Sequence, residues 1–280
     1  MKNIKLFKRC IGCILSAVIM LSVCITGICA AEGQAATVYI DSKKYTGSIT
    51  LREGIPYVGI REFSTYMGAK YINWDPNTKT ATVKSDNLII TATYGESYIV
   101  ANERYLWIQS GIIITDGTML LPLRPIAKAF NAYLNWDAPE KTGYIRKLGG
   151  EIISGDEFYN ADEVYWLSRI INSEAGVEPF LGKVGVGTVV LNRQKSGSYP
   201  DTVYGVIFDK KYGVQFTPTV NGTVYNEPNR DSIIAAKLCL DGARINEKVL
   251  FFVNDAIAES SWVRDNKAYV TTIGGHNFYS

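Results

Sequence analysis

The sequence predicts an α+β chain in two parts. The first is an N-terminal α/β-repeat domain of strands with one short helix per repeat; the second is a C-terminal, mainly helical domain with a small β-sheet. Three observations predict it. Residues 54–75, GIPYVGIREFSTYMGAKYINWD, recur in outline at 117–137, GTMLLPLRPIAKAFNAYLNWD. Beyond residue 159, Val164, Leu167, Ile170 and Ile171 recur at helical steps of three and four. Between these stretches, Leu148-Gly149-Gly150 and Ser154-Gly155-Asp156 have linker composition. The expected boundaries are therefore 36–147, a linker at 148–158, and 159–280.

The first residues read as a targeting segment. Lys2, Lys5, Lys8 and Arg9 precede an apolar run from Cys10 to Ala30, and Ala30, Ala31 and Ala35 suit a cleavage site. A signal peptide over residues 1–30 makes the protein secreted; an uncleaved membrane anchor is the competing reading. The segment carries four of the 29 Lys and Arg and none of the 27 Asp and Glu, leaving 25 basic against 27 acidic residues. No basic field remains to attract nucleic acid. It also holds Cys10, Cys13, Cys24 and Cys29, so Cys239 is left without a disulfide partner.

In the first domain, hairpins are expected at 39–45 and 99–105, and strands at 80–83 and 88–93. Each repeat gives a short strand, then Arg61 or Arg124 opening a helix, then an Asn-Trp-Asp turn. This repeat resembles the domain found at the N-terminus of copper amine oxidases and of many secreted bacterial proteins. Its His-free and Cys-free sequence lacks the ligands copper favours. Trp74, Trp107 and Trp136 suit a sugar-stacking surface. The equivalence of Trp74 and Trp136 across the repeats favours packing in the core instead. Anchoring to cell wall or to a protein partner is the expected role.

The second domain is organised around 161–193. Val164, Leu167, Ile170 and Ile171 form a helical stripe, and its next step is Glu174. Asn160 is the expected N-cap, with Glu163 three residues on, and Gly176 the expected stop. A carboxyl facing inward is costly to ionise, so its pKa rises, which is what a glycosidase acid requires. The alternative is that Glu174 is satisfied by an Arg or a backbone donor and merely orders the core. Glycosidases usually use two carboxyls, and no spacing forces Glu178, Asp201 or Asp231 beside Glu174. Glu178 reads as a helix N-terminal residue. Further helices are expected at 202–208 and 231–240 and a strand at 249–253. A surface loop is expected at 211–227, and an irregular strand and turn at 262–278.

The motifs Glu174-Ala175, Glu178-Pro179, a glycine-spaced helix and Val190-Leu191-Asn192-Arg193 resemble the SleB-type cell wall hydrolases, the family of spore-cortex-lytic enzymes. The resemblance continues through Tyr199-Pro200, Gly205-Val206-Ile207, Gln215-Phe216-Thr217-Pro218 and 273–279, with Val177 replacing the family's Gly. It implies a lysozyme-like domain that needs no cofactor or metal. It also implies a lytic transglycosylase activity on the MurNAc–GlcNAc bond of peptidoglycan, with Glu174 as acid and then base. The expected location is cell wall or spore envelope, and the expected state a monomer. Gln215, Phe216, Thr217, His276, Asn192 and Tyr212 are candidate substrate-binding residues. His276, the only histidine, either touches substrate, tunes Glu174, or braces the Gly-rich turn; Arg193 reads as a structural salt-bridge partner. Competing readings are a non-catalytic wall-binding protein, a muramidase releasing reducing ends, and a thiol enzyme using Cys239 and His276. One His and one remaining Cys are too few for a typical zinc site.

Overall fold

The computed structural model describes residues 36–211, 213–256 and 260–280; the expected signal segment lies outside them. Its first half runs β1 (Thr37–Ile40), β2 (Lys43–Lys44), β3 (Ile49–Arg52), β4 (Ile55–Gly59), α1 (Ile60–Met67), β5 (Tyr71–Asp75), β6 (Thr80–Lys84) and β7 (Ile89–Thr93). It continues through β8 (Tyr98–Ala101), β9 (Arg104–Trp107), β10 (Ile113–Thr115), β11 (Thr118–Pro122), α2 (Leu123–Ala129), β12 (Ala132–Asp137) and β13 (Thr142–Lys147). Three sheets result, ordered β12-β13-β1-β2, β10-β11-β4-β3 and β5-β6-β7-β8-β9. They enclose a core that includes Val38, Phe63, Ile90, Ile99, Leu121 and Ile126.

Local chemistry sets the turns. The hairpins β1–β2 and β8–β9 turn at Asp41-Ser42 and Asn102-Glu103, all four at positive φ, as a two-residue loop of primed type demands. The two Asn-Trp-Asp segments, expected as turns, instead complete β5 and β12. Trp74 and Trp136 stand opposite Ala81 and Gly143 in antiparallel ladders. The turns come just after: Asp75 Oδ1 accepts from Asn77 N at 2.9 Å, and Asp137 Oδ1 from Glu140 N at 3.1 Å. Neither Trp belongs to the core, contrary to the packing expectation. Trp74 is 38% exposed on the edge strand β5, while Ala81 across from it on β6 is buried in the core.

The second half runs α3 (Gly155–Phe158), α4 (Ala161–Ala175), α5 (Phe180–Lys195), α6 (Val203–Ile207), α7 (Pro218–Asn221), α8 (Arg230–Leu240), β14 (Phe251–Val253), α9 (Trp262–Asn266), β15 (Tyr269–Ile273) and β16 (His276–Tyr279). Asn160 caps α4 by accepting from Asp162 N and Glu163 N. Helix α5 is buried without a break from Gly182 to Arg193. Its glycines are where neighbours press closest. A Cβ on Gly185 would lie 2.4 Å from Phe278 Cζ, and one on Gly187 would lie 2.7 Å from Cys239 Sγ and 3.0 Å from Ile171 Cδ1. So β16 packs on one side of α5, and α8 and α4 on another.

Two expectations change here. Segment 211–227, expected as a surface loop, contains α7 and a 3-10 turn at Thr223–Tyr225, because Phe216, Pro218 and Val224 anchor it inward. Segment 262–278 opens with the short helix α9, which was not expected; the strand that follows is irregular as expected, its pairing with β16 shifting register between Tyr269 and Thr271 before the Gly274-Gly275 turn.

Residues Ala36–Ser280 cluster as one compact unit. Tyr98, Val100, Tyr105 and Trp107 of β8 and β9 belong to the hydrophobic cluster of the helices. Gly155 N donates to Asn102 O at 2.7 Å, and Tyr105 N to Tyr159 Oη at 2.9 Å. The charged centre of the contact is Asp241, whose side chain is 4% exposed; it accepts from Arg104 Nη2 at 2.8 Å and Lys128 Nζ at 2.6 Å.

Two stability outcomes follow from these contacts. Gly185→Ala is expected to lower stability by about 1–3 kcal/mol through overpacking against Phe278, read as a lower urea midpoint with unchanged slope. Asp241→Ala strands two cations. Because Lys128 stays partly solvated, the expected loss is about 2–3 kcal/mol by the same measurement, below the full cost of a broken buried pair.

Candidate active site

Glu174 sits in the last turn of α4, seven residues after Leu167 and four after Ile170, both fully buried. That spacing puts its carboxyl on the inward side of the helix. The side chain is half-buried. Burial pushes its pKa up to about 7, and no hydrogen bond or charge among the described residues opposes this. No basic residue lies in the last turn of α4, and the negative end of a helix disfavours a carboxylate. Both effects favour the protonated acid near neutral pH. The alternative in which an Arg satisfies Glu174 has no support in this geometry.

The walls around the end of α4 are tied down on both sides. Ser173 Oγ donates to Thr223 O at 3.0 Å, Asn229 N donates to Asn172 Oδ1 at 3.0 Å, and Asn229 Nδ2 donates to Gly176 O at 3.2 Å. On the other side, Glu178 Oε2 accepts from Gly275 N at 2.8 Å. Glu178 was expected only as a helix N-terminal residue; its carboxylate also fixes the Gly274-Gly275 turn between β15 and β16. Gly274 has φ of 58°, and a Cβ there would lie 2.0 Å from Glu178 Oε2. A carboxylate four residues before the buried Gly-rich helix segment gave no sequence signal for a partner almost a hundred positions away.

The other candidates scatter. Gln215 is half-buried; its Oε1 accepts from Arg193 Nη1 at 3.3 Å and its Nε2 donates to Gly213 O at 3.1 Å. Thr217 is exposed, and its hydroxyl has no partner among the described residues. Tyr212 lies outside the described residues. Phe216, Asn192 and His276, expected to line a groove, are interior. Phe216 belongs to the helical cluster, 6.3 Å from the Phe252 ring. Asn192 Nδ2 donates to Asn246 O at 3.0 Å and Val249 O at 2.9 Å, so its amide braces the approach to β14. His276 packs 5.1 Å from Phe252, with a Nδ1 that is buried and unpartnered among the described residues; desolvation lowers its pKa, and the charge of Glu178 partly opposes that shift.

Among the described residues Arg193 makes no salt bridge, contrary to expectation. Its Nε donates to Leu250 O at 2.7 Å, and its guanidinium lies 5.0 Å from the Tyr199 ring and 5.4 Å from Phe216 and Phe251. Carbonyl and aromatic faces thus take the place of a carboxylate. Asp201 and Asp231 are both exposed, Asp231 in the first turn of α8. Cys239 is fully buried, donates to Val184 O at 3.5 Å, and is pushed up to about 12 by burial, so a thiolate nucleophile has no basis there. Among the described residues, no three His, Cys, Asp or Glu side chains converge as metal ligands.

Comparison with known proteins assigns the two parts separately. Residues 177–279 match the family model "Cell Wall Hydrolase", and residues 32–145 match "Copper amine oxidase N-terminal domain". The first match begins three residues after Glu174. The spore cortex-lytic enzyme of Bacillus cereus is 32% identical over 120 residues, which are 43% of this chain and 45% of that protein. The Bacillus subtilis spore cortex-lytic enzyme is 30% identical over 120 residues, 43% of this chain and 38% of its own. The chain thus spans less than half the length of the curated relatives it matches. The solved catalytic domain of the germination-specific lytic transglycosylase SleB from Bacillus anthracis is 31% identical, with 44% of this chain and 97% of that one covered and a TM-score of 0.40. The chain therefore joins a C-terminal domain of the cell wall hydrolase family to an N-terminal domain of the copper amine oxidase N-terminal type.

Proposed function

We propose that this chain is a secreted peptidoglycan-cleaving enzyme, a lytic transglycosylase of cell wall or spore cortex, with Glu174 as its acid and base. Its working parts are the repeat domain at 36–147 and the catalytic domain at 159–280, and the chain acts as a monomer. The observation that carries this reading is the half-buried, unpaired Glu174 carboxyl, pushed up to about 7. The relatives' names, spore cortex-lytic enzyme and lytic transglycosylase, supply the substrate class.

The chemistry uses one carboxyl twice. Protonated Glu174 gives its proton to the oxygen bridging MurNAc to GlcNAc, and the C1–O bond breaks. The resulting carboxylate then takes the proton of the muramic C6 hydroxyl as that oxygen bonds to C1. The products are a 1,6-anhydromuramyl end and a new GlcNAc 4-hydroxyl, and Glu174 finishes protonated. No water enters the balance. Because the nucleophile belongs to the substrate, a bimolecular step becomes intramolecular. That removes the need for a second carboxylate, which fits the exposed positions of Asp201 and Asp231 and the engagement of Glu178 with Gly275. Thr217, with its free hydroxyl, and Gln215 are the candidate residues that remain open to substrate; Tyr212 belongs to the same segment.

Glu174→Gln is expected to abolish muropeptide release from purified sacculi while leaving circular dichroism unchanged. Release at the parent's rate would remove Glu174 as the acid. Mass spectrometry of the parent's products is expected to show anhydro ends; reducing ends would mean that water attacks instead, and binding without release would mean a wall-binding protein.

The raised pKa also sets pH behaviour. The acid form is needed first, so kcat/KM is expected to fall as pH rises through about 7. The same shift bears on stability. A carboxyl whose pKa is higher folded than unfolded favours the folded state below the unfolded value and loses that contribution as pH rises through the folded one. Glu174→Gln carries no such penalty. It is expected to be more stable than the parent by about 1–3 kcal/mol at pH 8 and to lose that advantage near pH 4, read by urea unfolding at both pH values.

A further inference from the structure

The N-terminal half contains a groove that the catalytic reading does not use. Its volume is about 420 Å³, and its lining includes Trp74, Asn73, Arg61, Thr50, Thr118 and Asp116. The side chains of the last five make no hydrogen bond or ion pair among the described residues. Glu62 shapes one wall by accepting from Ser48 N at 3.0 Å. Trp74 stands at the rim with 38% of its surface exposed. Its counterpart in the second repeat behaves differently: Trp136 covers Gly143, whose added Cβ would lie 3.2 Å from the indole. One repeat uses its Trp as a cover, and the other leaves it open over a cleft.

We propose that this groove is a saccharide subsite for a glycan strand of N-acetylated hexosamines. A pyranose ring has one apolar C–H face and a rim of hydroxyl and amide groups. An open indole face suits the first, and unpaired amide, hydroxyl, carboxylate and guanidinium groups suit the second. The volume lies in the range of small-molecule clefts, roughly 300–1,000 Å³. Arg61 shares the groove lining with two carboxylates, Glu62 and Asp116, so the lining carries no net positive charge. The choice of an acetylated aminosugar rests on the proposed catalytic activity. Because residues 36–280 form one compact unit, a strand held here raises the local concentration of glycan at the helical half.

The test uses the full chain carrying Glu174→Gln, so that it does not cut. The protein has five Trp and therefore five indole N–H signals, of which Trp74→Ala identifies one. Titration with the N-acetylglucosamine tetramer is expected to shift the Trp74 signal. Trp74→Ala and Asn73→Ala are each expected to reduce retention on purified sacculi at least threefold. The second variant decides if the first unfolds. An unmoved Trp74 signal at millimolar tetramer, or both folded variants retained like the parent, overturns the proposal. In the Glu174 background, Trp74→Ala is expected to cleave solubilised glycan fragments at the parent's rate. If the parent itself releases nothing, the catalytic reading fails while the indole shift still reports on this groove.

Discussion

The close approach of three elements to one buried helix shapes the catalytic half. Helix α5 has no solvent face from Gly182 to Arg193, so it serves as an axis rather than an amphipathic cover. Gly185 admits the Phe278 ring of β16, and Gly187 admits Cys239 of α8 and Ile171 of α4. Each missing methyl is filled by a neighbour, as dense interior packing requires. The position of Glu174 follows from this arrangement. Helix α4 is seated by Ile171 against α5, and Glu174 comes three residues later, still on the packed side. The hairpin bearing Gly274-Gly275 is seated by Phe278 on another side of the same axis. The glycines thus bring the end of α4 and the hairpin into one region, which Glu178 then closes with its bond to Gly275 N.

An unpaired carboxyl on a packed face is a local cost, and the chain does not offset it with a nearby cation. Arg169, one turn and one residue before Glu174, pairs with Glu227 at 2.7 Å instead. Arg193, the buried guanidinium of α5, is occupied by the Leu250 carbonyl, the Gln215 amide and three aromatic rings. Had either arginine reached Glu174, the carboxyl would have been held ionised, and proton donation near neutral pH would have been lost. Burial raises the Glu174 pKa, and neither arginine, each engaged elsewhere, counters it.

The sequence made the local parts of this legible. The stripe from Leu167 to Ile171 and the Asn160 cap fixed both the existence of α4 and the side on which Glu174 falls. Turn chemistry placed the β1–β2 and β8–β9 hairpins. Other features were hidden because they depend on partners far along the chain. Segment 211–227 is rich in Gly, Thr and Asn, so composition reads as loop, yet Phe216 and Val224 reach a core built by helices elsewhere. Asn192 and His276 are polar and so read as groove residues, but their partners, Val249, Asn246 and Phe252, come from separate elements. Trp74 and Trp136 share a repeat position, yet they stand opposite different residues across the ladder, Ala81 and Gly143.

The contact between the halves has the same non-local origin and bears on the site. Alternation in β8 and β9 gives each strand two faces but cannot say what covers the outer one. In the structure that cover is helical: Tyr98 and Trp107 lie 6.1 Å and 6.5 Å from the Phe180 ring. Phe180 is the first residue of α5, and α4 ends at Ala175 just after Glu174, so the four residues 176–179 form a connection held from outside. Its far end rests on the sheet through Phe180, and its middle is fastened to the β15–β16 turn through Glu178. Val177 between them is fully exposed, so the connection has little apolar burial of its own. Its conformation therefore leans on those fastenings and on the Asn229 bond to Gly176 O, and the one at Phe180 reaches the N-terminal half. A sequence-defined linker at 148–158 suggests a tether, but the aromatic contact at Phe180 and the Asp241 ion cluster make the repeat domain a structural wall of the region that carries the acid.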